Sequence, residues 1–318
     1  MWISPYKYVL SLGHLCSDIN QSILSAVLPF LIATYHYDYT TAAMLVTVSN
    51  VFGAFVQPFI GMLSDKKNKL LYMTLGVLLA SGGMAVTGFI SNFFGLCIVV
   101  IISGIGVVMF HPQAAKLVNS VSSKNAKGKG MSIFSFGGKV GFTLGPVYTA
   151  FLMNLFGMKG TILFLIPGIV FGIVCSFFNK YFENLDVLEV EKKEKVKSEQ
   201  KDDWSGFIKL CCVVFSRSIL SNGISTFLAF YFIQQFSKSN SFASMLLSVF
   251  YGIGSITLLG GGIADCFGHR KMVRLSFCIF LPAIFIFTNT SHFVIALIML
   301  IFMTCGESLS YSPMVVLG

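Results

Sequence analysis

The chain has 318 residues, 55% of them hydrophobic and 11% charged, with 22 Lys and Arg against 13 Asp and Glu and a formal net charge of +9. Soluble domains carry roughly 25% charged residues, so a soluble fold would lack the polar side chains to cover its surface. The 14% aromatic content excludes a disordered chain, leaving a polytopic membrane protein.

Apolar runs fall at 8–33, 41–63, 70–90, 94–117, 130–154, 160–180, 207–235, 242–262, 271–290 and 293–316. They are ten candidate helical spans, far longer than the roughly ten residues of a barrel strand. The first is too long for a cleaved signal peptide and is broken by His14 and Asp18. It carries Ser11, His14, Asp18, Gln21 and Ser25 at helical spacing, a polar seam that lipid cannot solvate. The seam must line a cavity or pack on polar partners. Asp18 lies about 15 Å into the span at 1.5 Å per residue, near the middle of the bilayer core. A carboxylate there costs roughly 2.5–3.5 kcal/mol on insertion scales, and it marks a proton or substrate site or a static contact with His14.

In span two, Thr47, Asn50 and Gln57 form a further stripe, expected to line a cavity or join helices. The loop after it reads Gly61-Met62-Leu63-Ser64-Asp65-Lys66-Lys67. His111-Pro112, towards the cytoplasmic end of span four, could titrate, gate or satisfy a carbonyl freed by the proline. Span five has Gly137, Gly141, Gly145 and Pro146, a smooth face for close helix packing, together with an intramembrane Lys139. A charged segment of mixed sign at 183–205 reads as a cytoplasmic linker between an N-terminal six-helix bundle, 1–182, and a C-terminal bundle, 206–318. Arg217 lies inside span seven, with Asp18 as the partner expected by pseudo-symmetry, and Glu307 lies inside span ten. The eight cysteines form no C-x-x-C pair and read as packing residues.

Eighteen of the 22 Lys and Arg fall in loops on one side, and only Lys159 and Lys238 on the other, which places the N-terminus in the cytoplasm. An internal repeat is also visible. The first loop motif recurs as Gly261-Gly262-Ile263-Ala264-Asp265, followed by Arg270 and Lys271, 200 residues later. A similar offset relates His111-Pro112 to Ser312-Pro313 and Asp18 to Arg217, the signature of two parallel halves. By that arithmetic the second half lacks two spans, and the chain is expected to be a fragment or a truncated product.

The layout resembles the major facilitator superfamily. More narrowly, Gly13-His14, Asp18, Gln21 and Leu28-Pro29-Phe30-Leu31 resemble the fosmidomycin resistance protein family of drug efflux permeases. Gln57-Pro58, Phe110-His111-Pro112, Gly137-Gly138, Gly145-Pro146 and Arg217-Ser218 extend that resemblance. It implies an all-α fold of two six-helix bundles, here with about four helices in the second, and a substrate carried in the cleft between them. The expected function is proton-coupled export of a small drug-like or anionic compound. Asp18, His14, Arg217, Lys139, His111 and Glu307 would line the pathway, and Gln21, Asn50 and Gln57 the cavity.

The alternatives are an uptake symporter or uniporter, a non-transporting membrane protein, and an inactive fragment. No Walker A run, G-x-S-x-G, H-E-x-x-H or His/Cys cluster occurs, so neither an enzyme, a cofactor nor a metal is expected. The partners expected are substrate, protons and lipid, without nucleic acid. The protein is expected to be a monomer in the cell membrane.

Overall fold

The computed structural model describes residues 6–64, 69–120, 127–178, 204–255 and 268–309, and all of its regular structure is helical. In chain order the helices are α1 Tyr6–Tyr35, α2 Tyr39–Ser64, α3 Lys69–Val86, α4 Phe93–Ser120, α5 Lys127–Phe156 and α6 166–178. After them come α7 Trp204–Phe236, α8 Asn240–Ser255, α9 His269–Asn289 and α10 Phe293–Leu309. A short 3₁₀ segment, Gly157–Leu165, joins α5 to α6. The helices fall on the ten apolar runs. Residues 204–205, assigned to the linker by composition, begin α7. Among the described residues, seven helical stretches are long and apolar enough to cross a membrane, one of them, Gly130–Phe178, running through both α5 and α6.

Contacts divide the chain into two compact units, Met1–Val196 and Lys197–Gly318. In the first unit α1 is the central element, buried along most of its length and packed chiefly on α5, with further contacts to α3 and α4. Leu10, Met73, Phe110, Ala114, Phe134 and Phe171 form its core. Cys16 and Cys175 are buried in that core as free thiols. In the second unit α9 packs on α10, and α8 meets both α7 and α10. The outer faces are strongly apolar, with Phe94 and Phe177 each 80% exposed. Such patches would be a liability in water; in lipid they are the solvent-facing surface.

The turns between helices are built alike in the two units. His36 ends α1 in the left-handed region at φ 58, and Ser237 ends α7 at φ 49. Two residues later a polar side chain caps the next helix. The Thr41 amide donates to Asp38 Oδ1 at 2.6 Å, and the Phe242 amide to Ser239 Oγ at 3.3 Å. Tyr37 then meets the ring of Phe93 at the start of α4, as Lys238 Nζ lies 4.1 Å over the ring of Phe293 at the start of α10. The spacing of about 200 residues visible in the loop motifs is therefore also a spacing of backbone conformations. Tyr35 Oη donates to the Gly88 carbonyl, and the Gly88 amide to Thr161 Oγ1, so the α1–α2 turn, the α3–α4 turn and the 3₁₀ segment share one end of the first unit.

Candidate functional site

The polar seam of α1 lies against the glycine face of α5. An added Cβ at Gly138 would sit 2.5 Å from Asp18 Oδ2, and one at Gly145 would sit 2.8 Å from the Ile19 carbonyl. Gly137 and Gly141 meet the Ser11 and Leu15 backbone in the same way. Side chains at these positions would force the two helices apart, so the glycines are what bring α5 to the seam. Pro146 continues the same buried face. Two seam side chains reach the α5 backbone. Ser11 Oγ donates to the Ile133 carbonyl at 2.8 Å, and His14 Nδ1 lies 2.8 Å from the Phe134 carbonyl. A carbonyl only accepts, so Nδ1 carries the hydrogen and Nε2 points the other way, towards Asp18.

Asp18 is 3% exposed and lies between two histidines. Its Oδ2 is 3.2 Å from His14 Nε2, and its Oδ1 is 3.3 Å from His111 Nε2 on α4. Asp18 Oδ1 has no hydrogen-bond partner of good geometry. The two imidazole rings approach edge to face, with centroids 5.1 Å apart. Lys139, one turn along α5 and half-buried, is close enough for its charge to act on His14. The seam's other members diverge. Ser25 is buried, while Gln21 is exposed. At 100° per residue Gln21 lies about 80° round the helix from Ser11, at the margin of the stripe. On α2, Thr47, Asn50 and Gln57 are all exposed along one side.

The second unit holds its own charged pair. The Arg217 guanidinium on α7 is hydrogen-bonded to Glu307 Oε1 on α10, and both side chains are largely buried. Leu220, Ser276, Phe277, Phe280 and Gly306 line a small pocket around them. Within the second unit the carboxylate that meets Arg217 is thus Glu307. Among the loop-motif residues, Gly61 is half-buried near the end of α2, and Arg270 is exposed at the start of α9. Asp65, Lys66, Gly261 and Asp265 lie outside the described residues.

Sequence reasoning left two contacts unread. Asn20, fully buried, donates to Ser81 Oγ on α3 at 2.8 Å and to the Cys16 carbonyl. Its signal was an amide inside an apolar helix, where it must find a partner. The meeting of His111 with Asp18 was accessible by counting. His111 is about 14 Å from the end of α4 and Asp18 about 18 Å from the start of α1 at 1.5 Å per residue, within one turn of equal depth.

The sequence matches the Major Facilitator Superfamily over residues 10–318, and the chain belongs to that superfamily. It is 22% identical to the fosmidomycin resistance protein of Escherichia coli strain K12, over 83% of this chain and 66% of that protein. It is 24% identical to the uncharacterized MFS-type transporter YfnC of Bacillus subtilis strain 168, over 85% of this chain and 68% of that protein. It is 25% identical to the multi-drug resistance efflux pump PmrA of Streptococcus pneumoniae strain TIGR4, over 74% of this chain and 60% of that protein. The chain therefore spans about two thirds of the length of these relatives.

Among solved structures, a bacterial homologue of the human lysosomal transporter Spinster, inward-facing and occupied, superposes with a TM-score of 0.81 at 15% identity. It covers 98% of this chain and 73% of that one. A D-xylose–proton symporter superposes with a TM-score of 0.75 at 15% identity, over 98% of this chain and 81% of that one. These likenesses are likenesses of fold. The superfamily comprises membrane transporters, and this chain is accordingly a multi-pass membrane protein and not an enzyme.

Proposed function

We propose that this chain is a proton-coupled secondary transporter that exports a small drug-like or anionic compound by alternating access. The observation that carries this reading is a buried ionisable cluster at membrane depth in each unit: Asp18 with His14, His111 and the nearby Lys139, and Arg217 with Glu307. Ionisable groups inside a membrane are costly and are kept where ions or substrates pass. Export is favoured by the printed names of two relatives, a fosmidomycin resistance protein and a multi-drug resistance efflux pump. The cation at Arg217 suits an anionic compound, and exposed Gln21, Asn50 and Gln57 are suited to lining its path. On the distribution of Lys and Arg, this reading puts the N-terminus and the charged linker at 183–203 in the cytoplasm, with the bundles at 1–182 and 204–318 in the cell membrane of a monomer.

The test is flux of fosmidomycin in proteoliposomes under an imposed pH gradient. Accumulation against its own gradient that a protonophore collapses supports the reading. Equilibration that ignores the pH gradient identifies a uniporter, and co-directional movement of proton and substrate identifies a symporter; either overturns it.

A further inference from the structure

His14, Asp18 and His111 form the one group of three metal-ligating side chains that converges among the described residues, with donor atoms within 4.8 Å of one another. We propose that these residues are a binding site for a divalent transition-metal ion of the zinc class. The inference concerns this chain's own donor set and goes beyond the transport reading, which it does not require.

Four features of the geometry carry it. The first is the donor set, two imidazole nitrogens and a carboxylate, the composition that zinc takes in open, three-ligand sites. The second is spacing. Bonds of about 2.0–2.1 Å arranged tetrahedrally set neighbouring donor atoms about 3.3 Å apart. His14 Nε2 lies 3.2 Å from Asp18 Oδ2 and His111 Nε2 3.3 Å from Asp18 Oδ1, so each histidine is at that spacing from one oxygen of the carboxylate, and one donor atom from each of the three residues lies within 4.8 Å of the others.

The third feature is orientation. His14 Nδ1–H is held by the Phe134 carbonyl at 2.8 Å, which turns the Nε2 lone pair into the site. That outer hydrogen bond is the usual support of a metal-bound histidine, fixing its tautomer and its ring plane. The fourth is an unmet need. Asp18 Oδ1 is buried, and its neighbour His111 Nε2 at 3.3 Å makes no hydrogen bond of good geometry with it, so the oxygen's need is incompletely met. A cation between the three groups answers it.

Access and opposition are also visible. The His111 side chain is 34% exposed, so its side of the cluster is open to an entering ion and to a fourth, water ligand. The Lys139 charge acts on His14 and opposes a second cation, and the Asp18 carboxylate offsets it. A bound ion would tie α1 to α4 through the middle of the first unit.

The experiment uses the purified full chain without an added histidine tag, titrated with Co²⁺ as a spectroscopic probe for zinc. Visible d–d bands of a tetrahedral ion, saturating at one equivalent and displaced by Zn²⁺, are expected. Replacing the half-exposed ligand, His111→Ala, should weaken binding by about 100-fold or more, beyond the loss that follows removal of an outer hydrogen bond. His36→Ala and His292→Ala, at turns outside the cluster, should leave it unchanged. X-ray absorption at the zinc edge of the unsubstituted protein counts ligands without relying on any variant's folding. A nitrogen and oxygen shell with imidazole scattering supports the site. No bound metal, a sulfur shell, or bands that survive in folded His111→Ala overturns it.

Discussion

The Arg217 guanidinium and the Glu307 carboxylate join α7 to α10 inside the apolar body of the second unit. Asp18 and His111 join α1 to α4 in the first. In chain order α7 and α10 are the first and fourth described helices of their unit, as α1 and α4 are of theirs, so each unit ties its first helix to its fourth with a polar contact. The two contacts differ in charge. One closes on a guanidinium, the other on an imidazole.

Breaking the ion pair from either side strands a charge. Arg217→Gln or Glu307→Gln alone should lower stability by about 3–5 kcal/mol, the range for removing one partner of a buried pair. The double variant should cost less than the sum. Thermal unfolding in detergent, analysed as a double-mutant cycle, measures this, and strictly additive losses would remove the pair from the account.

Asp18→Asn keeps the size of the side chain and discards the charge that faces both histidines. Gradient-driven flux by the transporter should be lost, while exchange of substrate at equal pH persists. Undiminished driven flux at matched protein levels would take Asp18 out of the pathway.

The close approach of α1 and α5 predicts a sharp contrast between glycines. Gly138→Ala and Gly145→Ala push a methyl into Asp18 or Ser22 and the Ile19 backbone, and should cost about 1–3 kcal/mol as overpacking does. Gly82→Ala meets nothing within 4 Å and should gain up to about 1 kcal/mol from helix propensity. Equal effects at all three positions would show that the contact is not tight.

Asp38 predicts a pH effect at the start of α2. Hydrogen bonds from Thr41, side chain and amide, hold its carboxyl below the ordinary carboxylate range. A lowered folded value means the cap is fully in place above the unfolded value of about 3.9. It is lost as pH falls through the lower, folded value. Protection of the first-turn amides of α2, taken relative to their intrinsic exchange rate at each pH, should fall on acidification in the native protein. In Asp38→Asn, which caps without titrating, it should not.

Orientation can be read with single cysteines and an impermeant thiol reagent. Positions 38 and 240 should label from outside intact cells, and position 190 only after lysis. Labelling of position 190 from outside would invert the arrangement.

The positions of all ten helices were legible because an apolar run long enough to cross a bilayer has few other uses. The same runs put Asp18, Lys139, Arg217 and Glu307 inside helices, where the structure has them. Their azimuth was not legible. Hydropathy locates a residue along the membrane normal and leaves open which neighbour it faces. Offset arithmetic did not name Glu307 beside Arg217 or His111 beside Asp18, contacts made inside each unit. His111 showed this most clearly, because its proline neighbour drew attention to the backbone while its ring meets a carboxylate on α1, three helices earlier in the chain. The glycines of α5 were read correctly as a packing face, but nothing in their spacing named α1 as the helix they receive.

With glycines at 137, 138, 141 and 145 leaving no tolerance between them, α1 and α5 cannot slide or roll past each other without collision. They are mechanically a single strut. Any rearrangement the first unit undergoes has to carry that strut whole. α2, which packs on α4 and leaves Thr47, Asn50 and Gln57 exposed along one side, lies outside that strut.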